Sequence, residues 1–395
     1  MGQTKDFFKE KKAWSALKDE ILDYYLTPYI SKILRAHRPL YIFDCFAGKG
    51  RFDDGTPGSP LIIAEQIRGK LLSNQTNTGM LRGAFIEKKY GTDLENNLAG
   101  YPNTKVLHGT FEDNLNEILS LDRNSSIFLY VDPYGIKSLN LNNFQRVGET
   151  SFSSIEMLMN FNSVGFLREG CRLLKYTDPL GDDELADYES DGDINTIARL
   201  NEIAGGAYWQ DILRRYYEKA ITFYEAEDAF ISEYCLTLRN VFKYTVNIPI
   251  KTKSNHIPKY RLIFCSNHKD GLILMADNMH KKWKEIVARQ RNGQLALLDL
   301  EFPDFKLCQG FDLHADIMSL VSASSSGISL QDLIVGLIQK YGIAFCESDY
   351  KKEIRRMESD SDLVIVRDPP VTKKTRRPAT SMEYSKYDIM VRKLS

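Results

Sequence analysis

The sequence predicts an α/β fold, a parallel sheet with helices between its strands, followed by a smaller module of helices and a hairpin. Three short apolar runs carry that reading. Leu40 to Phe43 leads into the glycine-rich turn Asp44-Cys45-Phe46-Ala47-Gly48-Lys49-Gly50, and Arg82 to Glu87 ends in an acid. Ser126 to Val131 runs into Asp132-Pro133-Tyr134-Gly135. Short apolar runs bounded by turn signals and separated by helical patterning are the mark of parallel strands covered on both faces. Ligands of such sheets bind outside the carboxyl ends of the strands. Asp44, Glu87 and Asp132 are therefore expected to face one nucleotide-like ligand.

Before the first strand, Trp14, Leu17, Ile21, Tyr24, Tyr25, Tyr29, Ile33 and Leu34 recur at three- and four-residue steps, which predicts an amphipathic helix over 14–36 with a kink at Pro28. Its aromatic stripe reads as core packing. In the loop after Asp44, Gly48 and Gly50 permit backbone angles and close approaches that a Cβ would block. Ser59 is the expected N-cap of the next helix, with Pro60 at its first position. The loop has no GxxxxGK[ST] phosphate motif, and Asp53 stands where GxGxxG spacing needs its third glycine. A lone GxG is by itself more often a plain turn.

Glu87 closes the second strand, where an acid can accept hydrogen bonds from two ribose hydroxyls; a solvated strand end is the bland alternative. Lys105 to Thr110 reads as the third strand, with Phe111, Glu112 and Asp113 beyond it in reach of an adenine. Asp132-Pro133-Tyr134-Gly135 is the sharpest signal. An Asp-Pro step closing a strand can be a turn. The same step also offers a carboxylate and a backbone carbonyl that together hold an exocyclic amine, with Tyr134 placed to stack on the base. Ser154 to Asn162 is the fifth strand, and Tyr244–Ile250 with Tyr260–Cys265 forms a late antiparallel hairpin, seven strands in all. Pro249 favours an edge position. Between them, 178–240 reads as an acidic loop and helical insertion; residues 178–193 hold eight acids in sixteen positions. Asp270 to Arg289 is a further helix, and the domain is expected to span 1–305.

Residues 310–395 have a different pattern. Helices are expected over 313–322, from Ser329 to Gly342, and from Ser348 to Met357, with strands at Asp362–Arg367 and Tyr384–Leu394. Three helices followed by a hairpin with a basic tip predict a winged helix. Lys351, Lys352, Arg355 and Arg356 on its third helix and Lys373, Lys374, Arg376 and Arg377 in the wing would contact nucleic acid. A solvated loop without a partner is the alternative.

Bulk composition narrows the class. The chain's 395 residues suffice for one large or two ordinary domains. Lys+Arg 52 against Asp+Glu 53 leaves no overall bias, whereas 348–395 alone holds 12 basic and 8 acidic residues. Six cysteines without a CxxC pair argue against a zinc site or disulfide framework, and no metal site is read. No signal-peptide core and no membrane-length apolar run is seen, so a cytoplasmic protein is expected.

Taken together, the strands, GxG loop, second-strand acid, fourth-strand Asp-Pro and late hairpin resemble a class I S-adenosylmethionine-dependent methyltransferase. More closely, FDCFAGKG, GSPLIIAEQ, FIEK, VDPYG, IEMLMNF, LREG and LIFCSNH resemble the three-Cys-motif partner (TcmP) family over roughly residues 14–290, and the last module resembles the winged helix of some members. The resemblance implies S-adenosylmethionine as cofactor, held near Asp44, Phe46, Ala47, Gly48, Gly50, Glu87, Thr110 and Phe111. It implies a target base at Asp132 to Gly135, nucleic acid as substrate, and a separate three-Cys-motif protein as partner. DPYG also resembles the Asp-Pro-Phe-Gly of tRNA guanine-N2 methyltransferases and, more loosely, the DPPY of adenine-N6 enzymes. Two classes of function stay open: methyl transfer to an exocyclic amine of a DNA or RNA base, and a non-catalytic nucleic-acid-binding body that recruits another protein, with 178–193 as its docking surface.

Overall fold

The computed structural model describes residues 13–73, 79–176, 194–251, 258, 260–290, 310–372 and 376–394. The acidic stretch 178–193 lies outside the described residues. Two compact units are present, Met1–His268 and Lys269–Ser395.

In the first unit, strands β1 (Leu40–Asp44), β2 (Leu81–Glu87), β3 (Thr104–His108), β4 (Ser126–Val131), β5 (Ser154–Phe161), β6 (Tyr244–Ile250) and β7 (Tyr260–Ser266) form one sheet. Their order is β3-β2-β1-β4-β5-β7-β6, and β7 pairs antiparallel with both β5 and β6. This is the seven-stranded sheet with an antiparallel last hairpin that the sequence predicts. Pro249 sits in β6, an edge strand, as its missing N–H requires.

Period-two alternation sends successive side chains to opposite faces. Phe43, Ile86, Leu129 and Met157 join one core with Phe111, Phe144, Phe166, Trp209 and Phe230. Those partners come from helices α4 (Phe111–Leu119), α5 (Leu141–Gly148), α6 (Ser163–Leu174), α8 (Tyr208–Tyr217) and α9 (Phe223–Leu238); α7 (Ile197–Ala204) packs with them. The other face meets α1 (Ala13–Arg35): Tyr25 and Tyr29 lie 5.9 and 5.5 Å from the Phe128 ring, and Tyr25 lies 5.4 Å from Phe264. Tyr25 and Tyr29 of the aromatic stripe are core whereas Tyr24 is exposed, and α1 continues through Pro28 as one helix. Helices α2 (Ser59–Leu72) and α3 (Gly91–Leu98) complete the layer.

A buried ion pair ties β7 to α9. Arg261 Nη2 donates to Glu227 Oε2 at 2.5 Å and Nε to Oε1 at 3.0 Å, with Ser163 Oγ donating to Oε1 at 2.6 Å. Burial disfavours a charged Arg261, and the Glu227 carboxylate more than reverses that effect.

In the second unit, α10 (Lys269–Gln290), α11 (Leu313–Ser322), α12 (Leu330–Tyr341) and α13 (Glu347–Ser359) surround a small antiparallel sheet of order β8-β10-β9. Its strands are Ile328–Ser329, Leu363–Asp368 and Asp388–Lys393. The boundary between units falls at 268/269 rather than at 305–310. Helix α10 belongs to the second unit because Asp270 accepts from Gln331 (2.6 Å), Asp277 from the Glu347 amide (2.7 Å), and His280 bonds the Ile343 carbonyl (2.8 Å). Ser329 caps α12 as expected, accepting from the Asp332 amide at 3.0 Å. Helix α13 starts earlier than Ser348: Cys346 is its N-cap, and the Cys346 amide donates to Asp349 at 3.1 Å.

Removing one member of a buried ion pair leaves the other charge uncompensated, at a cost of about 3–5 kcal/mol. Arg261→Met is expected to lose that much stability in urea denaturation, and Arg261→Met/Glu227→Leu to regain most of it. Equal losses in the two variants would instead assign the effect to packing.

Candidate active site

A cavity of about 620 Å³ opens at the carboxyl ends of β1, β2 and β4. Strand order reverses there, since the chain from β1 leads out to β2 and β3 on one side and to β4 and β5 on the other. Such reversals leave a crevice above the sheet.

The loop after β1 is anchored to both neighbouring strands. The Cys45 amide donates to the Tyr130 carbonyl (2.9 Å) and the Ala47 amide to the Ile86 carbonyl (3.0 Å). The Gly58 amide donates to the Gly50 carbonyl (2.9 Å), folding the loop back on itself. Gly50 has φ +83°, and a Cβ there would stand 2.9 Å from Leu94 Cδ1, so the turn requires glycine on both counts.

Three acids end the central strands, each in a different setting. Glu87 lines the cavity; its Oε2 accepts the Gly48 amide (2.8 Å), and its Oε1 accepts the Lys89 (2.7 Å) and Tyr90 (3.0 Å) amides. Asp44 is fully buried and is not part of the cavity lining. Its Oδ2 accepts from Ser59 Oγ (2.7 Å) and its Oδ1 from the Phe46 amide (3.3 Å). Ser59 is therefore not the N-cap: Gly58 holds that position, with Ser59 inside the first turn and its hydroxyl turned back to β1. Burial pushes the Asp44 carboxyl up to about 7, against the Ser59 and Phe46 hydrogen bonds and with nearby Asp132 and Asp19 adding to the rise.

Asp132 faces the cavity with 22% of its side chain exposed. The buried Lys18 of α1 donates to both its oxygens, at 2.8 and 2.7 Å. Asn160 Nδ2 of β5 donates to Oδ1 (2.7 Å), and Tyr130 OH to Oδ2 at a long 3.4 Å. A carboxylate has about four lone-pair positions, and the Tyr130 contact is the weakest occupant. Beside it, Pro133, Tyr134 and Gly135 also line the cavity; Tyr134 is 44% exposed and Gly135 takes φ +75°.

Thr110 and Phe111 reach the same cavity by another route. Thr110 is the N-cap of α4, exchanging hydrogen bonds with Asp113 at 2.9 and 3.1 Å, so Asp113 is engaged in a capping box. Phe111 is buried and stacks on Phe144 at 5.4 Å, with the Phe46 ring 6.4 Å away. Glu112 accepts from Asn143 (3.0 Å), and both line the cavity. From the insertion, Arg199 donates to the Lys137 (2.7 Å) and Leu139 (3.1 Å) carbonyls, holding the segment after Gly135.

Sequence reasoning missed Lys18, Asn160, Ser59 and Arg199. Asn160 left a signal, for it is a polar residue in an otherwise apolar strand, whereas Lys18, followed by Asp19 and Glu20, left none.

In the second unit, the basic residues fall into two groups. Lys351 pairs with Glu347 (2.5 Å) and lies over the Tyr384 ring, while Arg356 is shared by Glu353 (2.5 Å) and Asp360 (3.3 Å). Lys352, Arg355, Arg376 and Arg377 are exposed. Lys352 and Arg355 have no acidic partner among the described residues. Lys373 and Lys374 lie outside the described residues.

No protein-family model matches the chain, and no curated protein does. Among solved structures it is similar to protein LPL1258 of Legionella pneumophila, with 11% identity over 64% of this chain and 85% of that one, at a TM-score of 0.34. It is similar to the CurJ carbon methyltransferase, with 11% identity over 62% and 54% and a TM-score of 0.31. The plantazolicin methyltransferase BamL, in complex with a triazolic desmethylPZN analog and SAH, gives 11%, 64%, 86% and 0.30. Likenesses this low carry no argument, and the fold assignment rests on strand order and direction. Among the described residues no helix is long and apolar enough to cross a membrane.

A carboxyl raised from its usual 3.8 to about 7 holds a proton in the folded chain that the unfolded chain releases. Its stabilising contribution is complete below about pH 4 and is lost as pH rises through about 7, at up to about 1.4 kcal/mol per pH unit. Asp44→Asn is expected to gain stability relative to the parent protein as pH goes from 5 to 8, measured by urea denaturation at each pH. A pH-independent difference would show that Asp44 is ionised throughout.

Proposed function

We propose that the chain is an S-adenosylmethionine-dependent methyltransferase whose acceptor is an exocyclic amine of a nucleic-acid base. The observation that carries this reading is Asp132: a carboxylate at the end of β4, facing a cavity that also presents Glu87, glycine backbone and Tyr134. A volume of about 620 Å³ falls in the range of small-molecule sites. The donor set fits the cofactor. Glu87 has lone-pair capacity beyond its three amide bonds for a ribose hydroxyl, Phe46 and Phe111 offer flat apolar surface for an adenine, and Gly48 and Gly50 present backbone to the methionine part.

S-adenosylmethionine supplies a methyl group already activated on a sulfonium, so the protein's part is orientation and exclusion of water. Asp132 accepts a hydrogen bond from the amine in place of the long Tyr130 contact. The Pro133 carbonyl accepts the second, and the exposed Tyr134 ring stacks on the base. Lys18 and Asn160 fix the carboxylate's direction. Asp132 orients the amine and need not act as a strong base. Within this reading the C-terminal module is a winged helix, the family is that of three-Cys-motif partners, a three-Cys-motif protein is the companion, and the setting is cytoplasmic.

Transfer of radiolabelled methyl to separate DNA and RNA pools tests the proposal. Label is expected in one pool, with Asp132→Ala lowering it at least about 100-fold while cofactor binding survives. Undiminished transfer in that variant would remove Asp132 from the mechanism.

One observation favours the second reading, a non-catalytic nucleic-acid-binding partner. Lys18 engages both Asp132 oxygens, as a purely structural ion pair would. Absence of cofactor binding would select that reading.

Nucleic-acid affinity separates the basic residues of α13. Lys352→Ala/Arg355→Ala is expected to weaken binding across sequences and to reduce the slope of log K against log salt by about 1–2. Lys351→Ala, which removes a charge already neutralised by Glu347, is expected to change the slope less. Equal slopes for all three proteins would take α13 out of the interface.

A further inference from the structure

We infer that the second unit contains a binding site for a transition-metal dication, zinc foremost, formed by His280, Cys346 and Asp349. A ring nitrogen of His280, Cys346 Sγ and a carboxylate oxygen of Asp349 all lie within 4.8 Å of one another. Cys346 Sγ and Asp349 Oδ2 are already 3.0 Å apart. Four ligands around zinc at about 2.0–2.3 Å put neighbouring ligand atoms about 3.2–3.8 Å apart. The widest separation in the trio therefore needs a contraction of about 1–1.6 Å, while the Sγ–Oδ2 pair needs only to open slightly.

The state of His280 points to a ligand independently of that clustering. Its Nδ1 lies 2.8 Å from the Ile343 carbonyl oxygen, which can only accept, so Nδ1 carries the proton. The neutral ring then has a bare lone pair on Nε2. That atom is buried, in a residue 3% exposed, and has no hydrogen-bond partner. An imidazole whose one nitrogen donates to a backbone carbonyl while the other presents its lone pair is the usual form of a metal-bound histidine. Burying that lone pair unused is unfavourable unless something accepts it.

Charge and chemistry select the ion. One thiolate, one carboxylate and one neutral imidazole together carry two negative charges, which a dication neutralises. Sulfur and imidazole nitrogen favour zinc, cobalt and their neighbours over magnesium or calcium. Binding displaces the thiol proton of Cys346 to solvent, so affinity rises with pH. Asp277, one turn before His280, accepts the Glu347 amide at 2.7 Å, so α10 and the start of α13 are held together whether or not metal is bound. Three protein ligands leave a fourth position for water or another donor. The absence of a CxxC pair hides such a site from the sequence, because its ligands come from two helices 66 residues apart in the chain.

Cobalt titration of the chelator-treated full-length chain tests the inference. One equivalent is expected to bind, with thiolate-to-cobalt charge-transfer absorption that zinc abolishes by displacement. Cys346→Ser is expected to lose the charge-transfer band, and His280→Gln to weaken affinity at least about 100-fold. Asp349→Asn keeps an N3 side chain able to cap α13, so weakened binding in that variant reports ligation and not loss of the helix. Failure to bind a stoichiometric equivalent, or binding that all three variants retain unchanged, would overturn the site.

Discussion

A carboxylate at the end of a strand covered on both faces has to find donors, because burying it unpaired costs far more than a marginally stable fold can offset. The loops above this sheet answer that demand. Glu87 gathers three backbone amides, Asp44 a hydroxyl and an amide, and Asp132 an ammonium and a side-chain amide. Each solution fixes a different piece of chain: the glycine loop, the start of α2 and the first helix. The cavity's walls stand where they do because the strand-end acids hold them there.

The three settings also separate the acids chemically. Glu87 is bound only by neutral backbone donors and presents charge to the cavity. Asp132 is bound by a cation, which fixes its direction and lowers the field it offers a ligand. Asp44, walled off and pushed towards neutrality, acts through Ser59 and the loop rather than on anything in the cavity. A single class of residue at three equivalent positions thus serves three ends, distinguished by burial and by the charge of the donors.

Much of the fold could be read from the sequence because both signals behind it are local. Apolar runs broken by glycine and proline located all seven strands, and Pro249 marked the edge. The Thr110-x-x-Asp113 capping box was equally visible, yet the tight turn it makes was first read only as a contact for adenine. What could not be read depends on partners distant in the chain. Ser59 satisfies every local rule for an N-cap, but Asp44 fifteen residues earlier takes its hydroxyl. Lys18 looks like an ordinary polar residue of an amphipathic helix until β4 places Asp132 above it. Helix α10 has the pattern of any domain-closing helix, and only its bonds to Gln331, Glu347 and Ile343 assign it to the second unit. Helix α13 was expected two residues late, since a cysteine at the cap is a rare substitute for serine.

The two outermost strands of the sheet bear on how this protein meets others. β6 contains a proline, which cannot extend a hydrogen-bond ladder, and β3 presents Lys105 and His108 on its exposed positions, each paired with a nearby acid, Glu117 and Glu95. Charged side chains and proline at a sheet's margins discourage another chain from adding itself as an eighth strand. Those margins leave side chains on helices and loops, a specific surface rather than the generic adhesiveness of open backbone, as the less hindered place for contact.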